Sequence, residues 1–127
     1  MDLDLPDVVA EVRAAFDAYE RALTGNDVAA LDAMFHHDAR TIRFGAGENL
    51  FGYAQIKAFR AVRSPEGLAR ALSHTVITAY GRDTAVASTL FHRPAMPGEV
   101  GRQMQTWVRF PQGWRVVAAH VSVIAEG

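Results

Sequence analysis

The segment "TIRFGAGENLFGYAQI", residues 41–56, contains a strand pattern, a glycine-rich turn and the start of a helix. Arg43 lies between Ile42 and Phe44 in the strand part. Because side chains alternate along a strand, Arg43 points away from the face that carries these two apolar residues. The segment therefore predicts a strand, a tight turn with a second short strand near Leu50, and a helix from Tyr53 to Arg63.

Two helices are predicted upstream of this segment. Pro6 is suited to the first turn of a helix, Gly25 ends that helix, and Asn26 or Asp27 caps the next one, which runs from Val28 to about Phe35. Apolar residues recur in the first helix at spacings of three and four, as in a helix buried on one side: Val9, Val12, Phe16, Tyr19 and Leu23.

Four long strands are predicted downstream, in segments rich in Val, Thr, Trp and Phe. They read "RALSHTVITAYG", "TAVASTLFHRP", "RQMQTWVRF" and "WRVVAAHVSVI". Their connections are short enough for antiparallel hairpins. The order of elements predicts one α+β domain over residues 1–127, in which a cone-shaped, curved antiparallel sheet wraps around the N-terminal helices. Such a cone leaves a pocket where the sheet meets the helices.

The composition narrows the classes of function. The chain has 127 residues, a formal net charge of -1 and no cysteine. The charge argues against nucleic acid or an anionic membrane as a partner, and the absence of cysteine excludes thiolate chemistry and thiolate metal sites. The acidic N-terminus "MDLDLPDVV" is unlike a secretory signal, so a cytoplasmic protein is expected.

Tyr19 and Arg43 each have two interpretations. Tyr19 is either a core tyrosine whose hydroxyl binds the backbone or a residue that lines the pocket, because a buried phenol needs a partner. Arg43 is either solvated on the outer face or a clamp for an anion inside the cone, where a guanidinium binds a carboxylate through two parallel hydrogen bonds. In an apolar pocket such a cation needs an acidic partner, and Glu48 is suited to that role when the pocket is empty.

The last two strands supply the other candidates. Gln105 and Trp107 alternate along one face, and His120 and the weaker candidate His74 are half-buried imidazoles that serve either a structural role or the pocket. Both faces of "WRVVAAHVSVI" are largely apolar, which predicts helices on one face and a second copy of the chain on the other. Adjacent histidines in "HHD" (36–38) rarely converge on one ion, so neither a metal nor another cofactor is expected.

Several of these segments resemble the AtzH-like family, which includes the HpxZ proteins of oxalurate catabolism, in the SnoaL-like, nuclear-transport-factor-2-like superfamily. The resemblance covers roughly residues 9–124. It is carried by "YERAL" and the second helix, by "TIRFGAGENLFGYAQIKAFRAVR", and by "GRQMQTWVRF" and "GWRVVAAHVSVI". It implies a cone-shaped α+β fold, commonly a homodimer through the outer sheet face.

The resemblance also implies an activity. The AtzH-like branch acts on 1,3-dicarboxyurea as a decarboxylating amidohydrolase in cyanuric acid breakdown, and a helix tyrosine and a strand arginine that match Tyr19 and Arg43 are implicated. The expectation is a small metal-free hydrolase for an N-carboxylated urea or ureide, with Glu48, Gln105, Trp107, His120 and His74 contacting a small anionic substrate. Two alternatives stay open: a non-catalytic binding subunit beside an amidase, and a dehydratase or isomerase of the wider superfamily.

Overall fold

The computed structural model describes every residue from Met1 to Gly127. Three helices and six strands form the chain, and Pro6 stands at the first turn of α1 as its sequence predicts. The elements are α1 (Pro6–Thr24), α2 (Val28–Met34), β1 (Ile42–Phe44), β2 (Asn49–Phe51), α3 (Tyr53–Val62), β3 (Ala71–Tyr80), β4 (Thr84–His92), β5 (Glu99–Phe110) and β6 (Gly113–Ala125).

The six strands form one sheet in the order β2-β1-β6-β5-β4-β3. Strands β3 to β6 pair as consecutive antiparallel hairpins, which confirms the predicted α+β fold. One pairing differs from the all-antiparallel expectation, because β1 runs parallel to β6. Hairpin rules concern strands that follow each other in sequence, so they do not predict this contact between the first strand and the last.

Two irregularities change which side chains share a face. In β6, Val117 is an extra residue, since Ala118 pairs with Thr106 while Val116 pairs with Trp107. In β3, the register shifts between Ser73 and Val76, and His74 has a positive φ of 53°. An extra residue in one strand reverses the alternation of side chains beyond it. Simple alternation therefore fails in the second half of β6 and in the first half of β3.

The hydrophobic core lies between the inner face of the sheet and the apolar stripe of α1. Trp107, Phe16 and Phe35 are its largest fully buried side chains. The indole Nε1 of Trp114 donates a hydrogen bond of 3.0 Å to Glu11 Oε1, which ties α1 to the narrow end of the cone. Further along α1, Tyr19 packs edge to face on Trp107 of β5, so α1 contacts the inner face of the sheet at both strands.

Charged groups anchor the remaining helices. Asp27 caps α2 through a hydrogen bond that its Oδ1 accepts from Ala30 N at 3.1 Å, while Asn26 adopts the left-handed conformation before it. Arg60 of α3 forms a buried ion pair with Asp32 of α2. No helix is both long and apolar enough to span a membrane.

Candidate functional site

Arg43 lies on the inner face of the sheet. Its neighbours across the strands are Leu50 and Ala119, which pack toward the core, whereas Ile42 and Phe44 point outward. Its side chain is 14% exposed, and Nη1 donates a hydrogen bond of 2.9 Å to Glu48 Oε1. The guanidinium therefore points toward the interior of the cone, with one carboxylate as its partner.

Gln105 occupies the same row across the sheet as Arg43. Ala119 pairs with Arg43 on one side and with Gln105 on the other, so the two Cα atoms are about 10 Å apart at ordinary strand spacing. Gln105 is 1% exposed, and its Oε1 accepts a hydrogen bond of 3.1 Å from Trp107 Nε1. The hydrogen bond from the indole therefore orients the Gln105 amide so that the amide nitrogen is available as a donor on the inner face.

Tyr19 packs over this row from α1. Its ring centroid lies 6.4 Å from that of Trp107, edge to face, and 6.2 Å from that of Phe35. The side chain is buried, yet its hydroxyl is not among the buried polar atoms that are enclosed without a partner. Burial lowers the pKa of Arg63, as do the charges of Arg60 and Arg43, while Tyr19 and Glu48 act in the opposite direction.

The turn between β1 and β2 places Glu48 against Arg43. A Cβ on Gly45 would lie 1.7 Å from Glu48 Oε1, so the carboxylate occupies the space that any larger residue at position 45 would fill. Gly47 N donates a hydrogen bond of 3.2 Å to Glu48 Oε2, while a Cβ on Gly47 would meet nothing. Gly45 therefore leaves the space that the Glu48 carboxylate occupies in the ion pair, whereas Gly47 borders open space.

Further arginines surround the site. Arg70 donates two hydrogen bonds to Glu20, at 2.9 and 2.6 Å, and one of 3.0 Å to Gln103 Oε1. Burial and the charge of Arg60 lower the pKa of Arg63, and burial and the charges of Arg70 and Arg63 lower that of Arg93. None of these neighbouring residues was among the predicted site residues: Arg63, Arg70, Arg93 and Gln103. In the sequence, Arg70 and Arg93 are distinguished only by their positions next to the ends of β3 and β4.

Two predicted site residues lie elsewhere. His120 is exposed on the outer face, opposite Met104 and with its ring edge-to-face against Phe44 at 6.2 Å. The prediction that it lines the pocket is wrong, because the extra residue Val117 reverses the face of every side chain beyond it. His74 is likewise exposed, in the irregular part of β3, and borders an outer cavity with Ser88 and Met104.

The adjacent histidines go to different partners. His36 stacks on Phe110 at 4.1 Å, and His37 packs on Tyr53 at 4.0 Å. No group of three His, Cys, Asp or Glu side chains is arranged around one point. A cavity of about 300 Å³ opens beside this pair, and it contains none of the predicted site residues: it is lined by Ala33, Phe35, His36, His37, Gln112 and Arg115.

Two solved structures are similar over nearly their full lengths. A protein of unknown function from the DUF3225 family of Pectobacterium atrosepticum SCRI1043 is 60% identical, with a TM-score of 0.95 over 98% of this chain and 96% of that one. A cystatin-like fold protein from Burkholderia xenovorans LB400 is 47% identical, with a TM-score of 0.96 over 100% and 99% of the two chains. No curated protein matches the chain.

A more distant structure shows the wider fold. A nuclear transport factor 2-like superfamily protein from Salmonella enterica serovar Typhimurium LT2 is 24% identical, with a TM-score of 0.75 over 94% of this chain and 93% of that one. At this identity the likeness concerns the fold alone. The AtzH-like family model matches residues 1–127. The chain therefore belongs to the AtzH-like family and has the fold of the nuclear-transport-factor-2-like superfamily.

Proposed function

We propose that this protein is a hydrolase that removes a carboxylate from an N-carboxylated urea or ureide of the 1,3-dicarboxyurea type. The observation that carries the proposal is the largely buried guanidinium of Arg43 on the inner face, in the same row as Gln105, with Tyr19 packed on the nearby Trp107. A fixed cation in a largely apolar interior fits a small carboxylate, because two parallel charge-assisted hydrogen bonds offset the loss of hydration.

Glu48 acts as the resident counterion in this proposal. It neutralises Arg43 while the pocket is empty, which limits the cost of burying the charge. A substrate carboxylate then competes with Glu48 for the same donors. The Glu48 side chain is flexible and 23% exposed, so it is able to turn toward solvent when the substrate binds.

Tyr19 supplies the proton in the proposed step. The bond between nitrogen and the leaving carboxylate breaks, its electron pair stays on nitrogen, and the carboxylate leaves as carbon dioxide, which water then hydrates to bicarbonate, so that the net reaction is a hydrolysis. Nitrogen takes a proton from the Tyr19 hydroxyl, which a solvent proton then restores. Such a step needs proton delivery and charge placement rather than a strong nucleophile. The Gln105 amide is suited to orient the urea carbonyl by donating to it.

The first alternative is a non-catalytic ureide-binding subunit, since Arg43 serves binding equally well. Steady-state assays of the purified protein on 1,3-dicarboxyurea, following carbon dioxide, separate the two, with oxalurate, which carries no N-carboxylate, as the comparison substrate. Many turnovers per protein molecule support the hydrolase. Saturable binding without turnover supports the accessory subunit. The second alternative, a dehydratase or isomerase, needs a carboxylate or histidine base that faces the pocket. The two candidate histidines, His120 and His74, lie on exposed parts of the sheet, so such an enzyme would have to use a carboxylate.

A Gly45→Ala variant is expected to bind a carboxylate more tightly, by about 3- to 10-fold for acetate or butyrate. The new Cβ would overlap Glu48, whose flexible end moves and leaves Arg43 free of its competitor. Calorimetric titration measures the effect. Gly47→Ala is the matched control and should bind as the unmodified protein does, because its Cβ meets nothing. Equal affinities in both variants would contradict the role of Glu48 as a competitor.

We also propose a homodimer that covers the outer face of the sheet. Four large apolar side chains stay exposed there across the strands: Phe51 (56%), Val76 (56%), Met104 (55%) and Ile124 (44%). An apolar patch of this extent on a small domain is typical of an interface.

Light scattering at micromolar concentration is expected to give about twice the chain mass of 13.9 kDa. Met104→Glu should produce a monomer, because it places a charge in the centre of the face. Val62→Glu changes an equally exposed apolar residue on α3 and should leave the dimer unchanged. A monomeric unmodified protein would rule out this interface.

A further inference from the structure

Three side-chain donors are enclosed in the protein without any hydrogen-bond partner. They are Arg63 Nε, Arg93 Nε and Gln103 Nε2, and no other side-chain nitrogen or oxygen is in this condition. Gln103 is 2% exposed, and its Oε1 is already used by Arg70. Folded proteins leave few buried donors unpaired, because each one loses its hydration without compensation. Three donors in one charged region indicate a missing acceptor.

The charges of this region do not balance. Glu48 pairs with Arg43, and Glu20 pairs with Arg70. Arg63 and Arg93 have no carboxylate within ion-pair distance, and the one hydrogen bond from the Arg63 guanidinium is a long 3.4 Å contact from Nη2 to the neutral Asn26 Oδ1. Two positive charges are therefore left without counterions in a partly buried site, which favours an anionic ligand.

The surrounding packing holds the arginines in place. The guanidinium carbons of Arg70 and Arg93 lie 4.6 and 4.9 Å from the centroid of the Phe91 ring. This ring sits directly against Gly101, where a Cβ would be 2.0 Å from Phe91 Cζ. Gly101 thus admits the ring, and the ring supports both cations. Burial lowers the pKa of Arg93, and the charges of Arg70 and Arg63 lower it further. The arginines therefore repel one another in this region.

The unpaired donors adjoin the Arg43 site. Gln103 and Gln105 point to the same face of β5, about 7 Å apart along the strand, and Gln105 shares its row with Arg43. The positive charge of Arg43 contributes to the lowered pKa of both Arg63 and Arg93. By strand register, the Cα atoms of Gln103 and Arg43 are about 12 Å apart, two strands across the sheet and two residues along it, a separation that their side chains and one small molecule span together. One end of a ligand reaches Arg43 while the other reaches the unpaired donors.

We propose that Arg63, Arg93 and Gln103 form a second carboxylate-binding site, so that the pocket takes a small dicarboxylate dianion held at both ends. Arg43 binds one carboxylate, and the three unpaired donors bind the other. This inference rests on the proposed function for the length of the ligand, a five-atom chain as in 1,3-dicarboxyurea. It concerns binding alone, so its test does not depend on turnover.

The test is calorimetric titration with two stable ligands of equal size. Glutarate has the five-atom chain and two carboxylates, whereas glutaramate replaces one carboxylate by a neutral amide. Glutarate is expected to bind about 10- to 100-fold more tightly than glutaramate, because only glutarate supplies a charge to both sites. Equal affinities, or no binding of glutarate, would overturn the second site.

Variants assign the two ends. Arg63→Met and Arg93→Met keep much of the side-chain packing and remove the charge, and each should lower glutarate affinity about 10-fold or more while changing glutaramate affinity little. Arg43→Met should weaken both ligands. Arg102→Met, on the outer face, is the matched control and should weaken neither. Unchanged glutarate affinity in both Arg63→Met and Arg93→Met would overturn the proposal.

Thermal unfolding without ligand separates a binding role from a structural one. If Arg93 is held for a ligand, Arg93→Met relieves repulsion and should raise Tm by about 2–5 °C, as substitutions at strained functional sites often do. Loss of stability in Arg93→Met, together with unchanged glutarate binding, would assign the arginine to the fold. Failure of hydrolysis with intact glutarate binding would refute the proposed function and leave the second site standing.

Discussion

Replacing Arg43 by lysine is expected to lower kcat/KM for 1,3-dicarboxyurea by about 30- to 1,000-fold. Lysine keeps the positive charge, but its ammonium lacks the planar pair of donors that matches a carboxylate. Glu48 pairs with a lysine ammonium as readily as with the guanidinium, so the empty variant keeps an ion pair. A substrate carboxylate that displaces Glu48 then gains fewer hydrogen bonds from lysine than from arginine. Initial rates over a range of substrate concentrations measure the effect.

Arg40→Lys is the matched control for this substitution. Arg40 lies three positions before Arg43, but its side chain is 89% exposed and pairs with Asp38 on the surface. Its replacement should leave kcat/KM within about 2-fold of the unmodified protein, as expected for exposed pairs. Activity of Arg43→Lys equal to that of Arg40→Lys would show that two-point recognition of a carboxylate plays no part.

Removing one oxygen from Tyr19 is expected to lower kcat at least about 100-fold. Tyr19→Phe retains the ring that packs against Phe35 and Trp107, so the core is preserved. The Tyr19 hydroxyl is not one of the enclosed polar atoms that lack a partner. The rate falls because nitrogen no longer receives its proton within the pocket.

Tyr80→Phe provides the control for Tyr19→Phe, since Tyr80 is 41% exposed at the end of β3. Both variants should unfold at temperatures close to that of the unmodified protein. A nearly normal kcat in Tyr19→Phe would remove the phenol from the mechanism. Low activity with a strongly lowered Tm would instead point to a packing defect.

Local patterns in the sequence predict the elements of this fold well. The helix α1, the four long strands and the strand–turn–helix around Arg43 all follow from periodicity and from the positions of proline and glycine. The alternation along β1 correctly separated Arg43 from Ile42 and Phe44, because β1 is short and has no irregularity, but only the pairing with β2 and β6 shows that Arg43 faces inward. The alternation along β6 did not predict the face on which His120 lies, because one unpaired residue, Val117, lies between the two halves of that strand.

The arginine cluster depends on tertiary structure that no local pattern reveals. Arg63 ends α3, Arg70 precedes β3, and Arg93 follows β4, so each looks like an ordinary charged boundary residue. Only the tertiary structure brings Arg70 onto Gln103 and stacks Arg70 and Arg93 on the same Phe91 ring. The same holds for Glu20, which is polar next to the apolar stripe of α1 and pairs with an arginine 50 positions away.

The central claim is that the interior of this cone releases one carboxylate from a carboxylated urea. The most direct measurement is the release of labelled carbon dioxide from 1,3-dicarboxyurea that carries ¹³C in both carboxylates, compared with a blank without protein. The account predicts many turnovers per protein molecule, with one of the two labelled carbons released and the other kept in the product. Release no faster than in the blank would contradict it.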